Sequence, residues 1–218
     1  MRAIIMKEFG GIDVLQLAQM PQPTAGPGDL LVRVHAAALN PVDTKIRKGL
    51  HGPKNFPLIP GYDVSGIVSE LGEDVDGFAV GDEVYASPSL ARQGAHAEYV
   101  VLDSRTAAHK PGTLSHEQAA ALPLATLTAW EAMFERANLQ DGETIIISAG
   151  AGGVGHIAVQ LARARECRVI TTASADESIA LARQCGAQVV INYKTEDVVE
   201  RVMEETGDAG CPVVFERR

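Results

Sequence analysis

The chain has 218 residues, 46% of them hydrophobic and 22% charged, with a formal net charge of −9. Such a chain can bury one or two cores, and its acidity argues against nucleic acid or an anionic membrane as the main partner, because both need a basic surface. Cys167, Cys185 and Cys211 are well separated and form no CxxC pair, so neither a disulfide framework nor a zinc ribbon is expected and a reduced, cytoplasmic compartment fits.

Residues 1–7 read as a short strand rather than a signal peptide, lacking both the apolar core and the cleavage site. No apolar run reaches the length of a membrane span. Residues 21–28, with three prolines and two glycines, read as a loop. Apolar and β-branched runs at 30–35, 64–69, 83–86 and 97–102 predict strands, separated by Gly, Pro and Asp clusters. Residues 41–48 are the helical turn among them, so the first part is mainly β. From Ser115 the texture becomes rich in alanine and leucine. Ser115-His-Glu-Gln118 has the form of a capping box, Pro123 ends the helix it opens, and a second helix is expected over 124–136.

Asp141-Gly142 then turns the chain into a short β-branched strand from Thr144. Helix 154–165, strand 168–172, helix 177–184 closed by Gly186, strand 188–192, helix 196–206 closed by Gly207 and strand 212–215 follow. This alternation predicts an α/β region with a parallel, doubly wound sheet. Two domains are therefore expected, over 1–122 and 123–218.

Between the strand at 144 and the helix at 154 stands Gly150-Ala-Gly152-Gly153-Val154-Gly155. Glycine there lets the backbone approach a pyrophosphate, and the helix N-terminus offers its unpaired N–H groups to that anion. A strand before the turn and a helix after it make a dinucleotide-binding βα unit the expected reading.

Several blocks resemble the medium-chain dehydrogenases/reductases in their zinc-free quinone-oxidoreductase branch. They include Ala38-Leu-Asn40-Pro-Val-Asp43, Pro60-Gly-Tyr62-Asp63-Val-Ser-Gly-Ile-Val68, Gly72, Gly81-Asp-Glu-Val84, Ala97-Glu-Tyr99, Leu127-Thr128-Ala-Trp130, the glycine turn, and Gly186-Ala187 with Val190-Ile-Asn-Tyr193. The resemblance implies a GroES-like, mainly β catalytic domain followed by a Rossmann domain. It implies hydride transfer from NADPH to a quinone or an α,β-unsaturated carbonyl. Asn40 and Thr128 would then lie near the nicotinamide, with Tyr62 a candidate donor to the developing oxyanion. Each has a plainer reading. Asn40 before Pro41 also looks like a helix N-cap, Tyr62 like a packed residue, and Thr128 like part of an amphipathic helix.

Zinc-dependent relatives carry cysteine, histidine and cysteine where this chain has Asn40, Tyr62 and Leu124, so no metal is expected and an alcohol dehydrogenase is disfavoured. Ala173 stands at the end of the second Rossmann strand, where a carboxylate would repel a 2′-phosphate, so NADP is favoured over NAD. Ser174 follows it, and Tyr193 matches a tyrosine near the adenosine phosphate of NADP-using relatives. Ser178 stands where those relatives carry lysine, and Ser174-Ala-Asp-Glu177 is itself a capping-box pattern. After the fourth Rossmann strand comes Glu216-Arg217-Arg218, where relatives continue with two more βα units and a dimer-forming edge strand. The expectation is a truncated member with doubtful oligomerisation and impaired turnover. The alternative is a non-catalytic nucleotide-binding or structural protein.

Overall fold

The computed structural model describes residues 1–50 and 55–216; Arg217 and Arg218, on which the expected departure from relatives partly rests, lie outside them. Two compact units divide the chain, Met1–Leu124 and Ala125–Arg218.

The first unit is built on strands β1 (Arg2–Ile5), β2 (Gln16–Gln19), β3 (Asp29–Ala37), β4 (Val64–Leu71), β5 (Glu83–Ala86), β6 (Tyr99–Asp103) and β7 (Ala107–His109). Helices α1 (Pro41–Arg47) and α2 (His116–Ala120) interrupt and close it. β1 and β2 form an antiparallel hairpin, and the others make a five-stranded antiparallel sheet in the order β6-β3-β4-β5-β7. Alternation along these strands sends Leu30, Val32, Val64, Val68, Val84, Val100 and Leu102 into one core. Breaks in register at Leu31/Val32 and Val34/Ala36 mark bulges that bend the long strand β3. β2 and β7 were not among the expected strands. The residues of β2 are almost all exposed, and β7 has three residues, so neither carries a burial rhythm.

Helix α2 starts with the expected capping box, Ser115 Oγ accepting from Gln118 N–H while Gln118 accepts from Ser115 N–H. A polar cluster ties this end to the sheet. The Nδ1 of His116 lies 2.8 Å from Ser65 Oγ, and its Nε2 lies 3.4 Å from Glu83. His116 stacks on His35 with centroids 4.4 Å apart, and burial together with His35 pulls its pKa down. Lys110, 5% exposed, donates to the Leu114 carbonyl at 2.6 Å and pairs with Glu83 at 3.0 Å. Lys110→Met is expected to cost about 1–2 kcal/mol, mostly from the carbonyl left unsatisfied, as read by urea denaturation.

The second unit opens with α3 (Pro123–Trp130), whose first residues belong to the first unit. The single helix expected over 124–136 is corrected: after Trp130 the chain widens into a π-helical turn, Glu131–Arg136. Ala137 N–H reaches back five residues to the Ala132 carbonyl. The extra residue buries Met133 and leaves Trp130 and Phe134 in ring contact, centroids 4.7 Å apart. Next come β8 (Thr144–Ile147), α4 (Gly155–Ala164), β9 (Arg168–Ala173), α5 (Asp176–Gln184), β10 (Val189–Asn192), α6 (Val198–Thr206) and β11 (Val213–Phe215). The sheet is parallel, in the order β10-β9-β8-β11. In chain order that is 3-2-1-4, the first two-thirds of a doubly wound arrangement. Gly207, at φ 57°, supplies the left-handed C-cap of α6, as the sequence pattern implies.

Candidate functional site

In the second unit, alternation in β8 buries Ile145 and Ile147 and delivers the chain to a turn at the C-terminal end of the sheet. Two bonds anchor that turn. Ser148 N–H donates to the Phe215 carbonyl at 2.9 Å, and Ala149 N–H to Thr172 Oγ1 at 3.0 Å. Ala149 itself takes a left-handed conformation, φ 53°, which a residue with a Cβ adopts only under constraint.

The glycines of the turn have different reasons to be glycine. A Cβ on Gly150 would lie 2.1 Å from Thr171 Oγ1, and one on Gly155 would lie 2.1 Å from the Ala149 carbonyl oxygen. These two permit the close packing of strand, turn and helix. A Cβ on Gly153 would meet nothing within 4 Å, so packing does not demand glycine there. Gly152 and Gly153 are exposed, and Val154 occupies the N-cap of α4. Val154 makes no side-chain cap bond, so the first N–H groups of the helix have no side-chain partner from the cap residue.

Beside the turn lies a pocket of about 230 Å³, lined by Gly152, Thr172, Ala173, Ser174, Ser178 and Tyr193 among others. Ser174 Oγ donates to the Tyr193 hydroxyl at 2.9 Å. The capping-box reading of Ser174 is therefore corrected. Helix α5 starts at Asp176 with Ala175 as its N-cap and no side-chain cap, which leaves Ser174 one residue too early to reach the helix. Its hydroxyl faces the pocket residue instead. Among the described residues no Lys or Arg lines this pocket.

The expected residues of the first unit separate into two environments. Asn40 is the N-cap of α1, and its backbone N–H donates to Asp43 Oδ2 at 2.7 Å. Its amide Nδ2 donates to Asp63 Oδ2 at 2.8 Å, while Asp63 Oδ1 accepts from Leu124 N–H at 2.7 Å. Capping and a directed amide thus coexist. Tyr62 lies apart, fully covered, in a cluster with Met6, Ile46 and Leu58. Its hydroxyl has no hydrogen-bond partner among the described residues. Burial, then Asp43, push its pKa up to about 12. Thr128 is half-buried in α3, in the second unit.

Sequence reasoning passed over two contributors. Thr172 holds the turn, and the signal was the pair of threonines, Thr171 and Thr172, near the end of β9. Asp63 was given no role of its own, yet it is 1% exposed and bound by two donors. Among the described residues no three His, Cys, Asp or Glu side chains gather as a metal site would require. No helix of the described residues is long and apolar enough to cross a membrane.

Residues 26–112 match the alcohol dehydrogenase GroES-like domain, and residues 153–217 match the zinc-binding dehydrogenase family. The quinone oxidoreductase of Rattus norvegicus is 36% identical over 218 residues, which is 99% of this chain and 66% of the rat protein. The Escherichia coli quinone oxidoreductase, solved in complex with NADPH, superposes with a TM-score of 0.85 at 34% identity, covering 99% of this chain and 66% of that one. An NAD-dependent alcohol dehydrogenase superposes with a TM-score of 0.90 at 36% identity, over 98% of this chain and 70% of that one. This chain thus spans 66% of the length of the rat enzyme it matches.

Proposed function

Because this chain belongs to the medium-chain dehydrogenase/reductase family, in its quinone-oxidoreductase branch, we propose that it binds NADPH and reduces a quinone or an α,β-unsaturated carbonyl. The observation that carries the reading is the glycine turn, packed at Gly150 and Gly155, open at Gly153, and leading into a helix without a side-chain cap. Backbone N–H groups at that end would hold the pyrophosphate. Ser174, Ser178 and Tyr193 would offer hydroxyls to the adenosine 2′-phosphate, and the absence of a carboxylate at Ala173 removes the group that would repel it. NADPH is accordingly the favoured form over NADH. When bound, the cofactor supplies the hydride; orientation falls to the protein.

In this reading Asn40 and Thr128 orient the nicotinamide, and Tyr62 donates a hydrogen bond to the oxygen on which charge develops. Its high pKa keeps the hydroxyl protonated, and an acceptor is what that hydroxyl lacks. Asn40, Tyr62 and Leu124 support a reaction independent of zinc, since none is a usual zinc ligand. The net charge of −9 supports a small-molecule substrate over nucleic acid or a membrane surface.

One observation favours the second reading, a nucleotide-binding protein without turnover: Tyr62 is wholly covered, so its hydroxyl reaches a substrate only if its apolar neighbours part. Tyr62→Phe addresses both. The variant is expected to gain about 1 kcal/mol of stability from losing an unsatisfied hydroxyl, whichever reading holds. Quinone reduction falls at least tenfold under the first reading; unchanged turnover excludes Tyr62 as donor.

Calorimetric titration of the 218-residue protein with NADPH and NADH tests the proposal directly. Saturable binding, tighter for NADPH, is expected. A folded sample that binds neither nucleotide refutes it.

A further inference from the structure

Two buried carboxylates converge on Asn40, and together they hold it at both ends. Asp43 Oδ2 accepts the Asn40 backbone N–H at 2.7 Å, while its Oδ1 accepts the N–H of Gly61 at 3.0 Å. Asp63 takes the side-chain end, with one oxygen on Asn40 Nδ2 and the other on Leu124 N–H. Since both Asp63 oxygens are engaged, the carboxylate cannot turn, and the Asn40 amide cannot flip without facing oxygen to oxygen.

This arrangement does not favour stability. Asp63 is 1% exposed, and the groups facing it are the Asn40 amide, the Leu124 N–H and the negative Asp43; no cation faces it among the described residues. Burial pushes its pKa up to about 6, against the pull of its two hydrogen bonds. A buried charge without a counterion costs stability unless well hydrogen-bonded, and a protein keeps one where orientation matters more. A neutral asparagine at this position offers one acceptor and one donor, so it cannot accept from both Asn40 and Leu124.

We infer that Asp63 is the positioning residue of Asn40, fixing which face of that amide meets the nicotinamide end of the cofactor. The inference rests on the NADPH reading for the ligand, but the Asn40–Asp63 pairing stands apart from it. One N–H of the Asn40 amide is spent on Asp63, which leaves the other in a set direction. Loss of the Asp63 charge frees the amide to turn.

The test compares wild type with Asp63→Asn, using NADPH and 2′,5′-ADP, which carries the adenosine end and no nicotinamide. NADPH affinity is expected to fall about tenfold while 2′,5′-ADP affinity stays unchanged, with stability at pH 7.5 equal or higher. A loss that strikes both nucleotides alike, or neither, overturns the inference. A second measurement follows the Asn40 side-chain NH₂ signals by ¹H–¹⁵N NMR. In wild type they should titrate with a midpoint near the Asp63 value of about 6, and in Asp63→Asn they should not.

The sign of the stability effect is fixed too. A carboxylate whose folded pKa is raised destabilises the fold above that pKa, and the penalty vanishes as pH falls below the unfolded value. Wild type should therefore lose stability as pH rises from about 4 to about 6, and Asp63→Asn should remove that slope. Wild type that binds neither nucleotide would sink the cofactor reading alone. Asn40 signals insensitive to Asp63 would sink the positioning role whatever the nucleotide does.

Discussion

Gly155→Ala is expected to abolish NADPH binding and to cost about 3 kcal/mol of stability. The added methyl would lie 2.1 Å from the Ala149 carbonyl oxygen and 2.9 Å from its carbon, and both are backbone atoms that no rotamer change can move aside. Relief requires α4 to withdraw from the turn, and that withdrawal carries the helix N-terminus away from any bound phosphate. Gly153→Ala is the control. Its methyl meets no protein atom within 4 Å, so thermal stability should stay close to wild type while NADPH affinity drops about tenfold. If Gly153→Ala binds as well as wild type, the phosphate does not approach that face of the turn.

Ser178→Lys should raise NADPH affinity about tenfold and leave NADH affinity unchanged, because a charge-assisted bond to phosphate is worth about 1.5 kcal/mol. Ser174, Ser178 and Tyr193 offer hydroxyls to a 2′-phosphate, no cation lines the pocket among the described residues, and Asp176 and Glu177 immediately precede Ser178 in the chain. Discrimination between the two nucleotides is accordingly expected to be weak in the wild-type protein. Paired titrations in low and moderate salt separate the contributions, since the lysine gain should shrink with ionic strength and the hydroxyl contribution should not. Equal gains for NADH and NADPH would place the 2′-phosphate elsewhere.

Periodicity made most of this fold legible. Strands at 64–69 and 83–86 and every element from 144 onward showed either apolar alternation or a capped helical repeat, and they form β4, β5 and β8 to β11 with the helices between. The elements that escaped have no such signal. β2 is exposed on nearly every residue, its Leu17 included, and its strand character comes from pairing with β1, a tertiary effect. The π turn after Trp130 depends on how Met133 reaches the core, which local sequence does not record. Site residues followed the same division. Gly150 and Gly155 were legible from the glycine-rich pattern between a strand and a helix, although the residue that would crowd a side chain at Gly150 is Thr171 of the neighbouring strand. The Asn40–Asp63 pairing joins distant segments, and Ser174 reads as a cap until the helix start is known to lie at Asp176.

The strand order has a consequence for how the second unit is made. β8 pairs on one side with β9, which follows it after a single helix, but on the other side with β11, the last strand of the four. During synthesis, then, the Ile145–Val213 side of β8 must wait until three helices have emerged, and its amides stay open to solvent and to wrong partners. Contacts so far apart in sequence also slow folding, because a long loop must close before any bond rewards it. Pulse-labelled hydrogen exchange during refolding should accordingly show the amides bonded between β8 and β9 protected first, and those bonded between β8 and β11 last. The Ser148–Phe215 bond belongs to that final step, so the glycine turn reaches its final shape only when the sheet is closed.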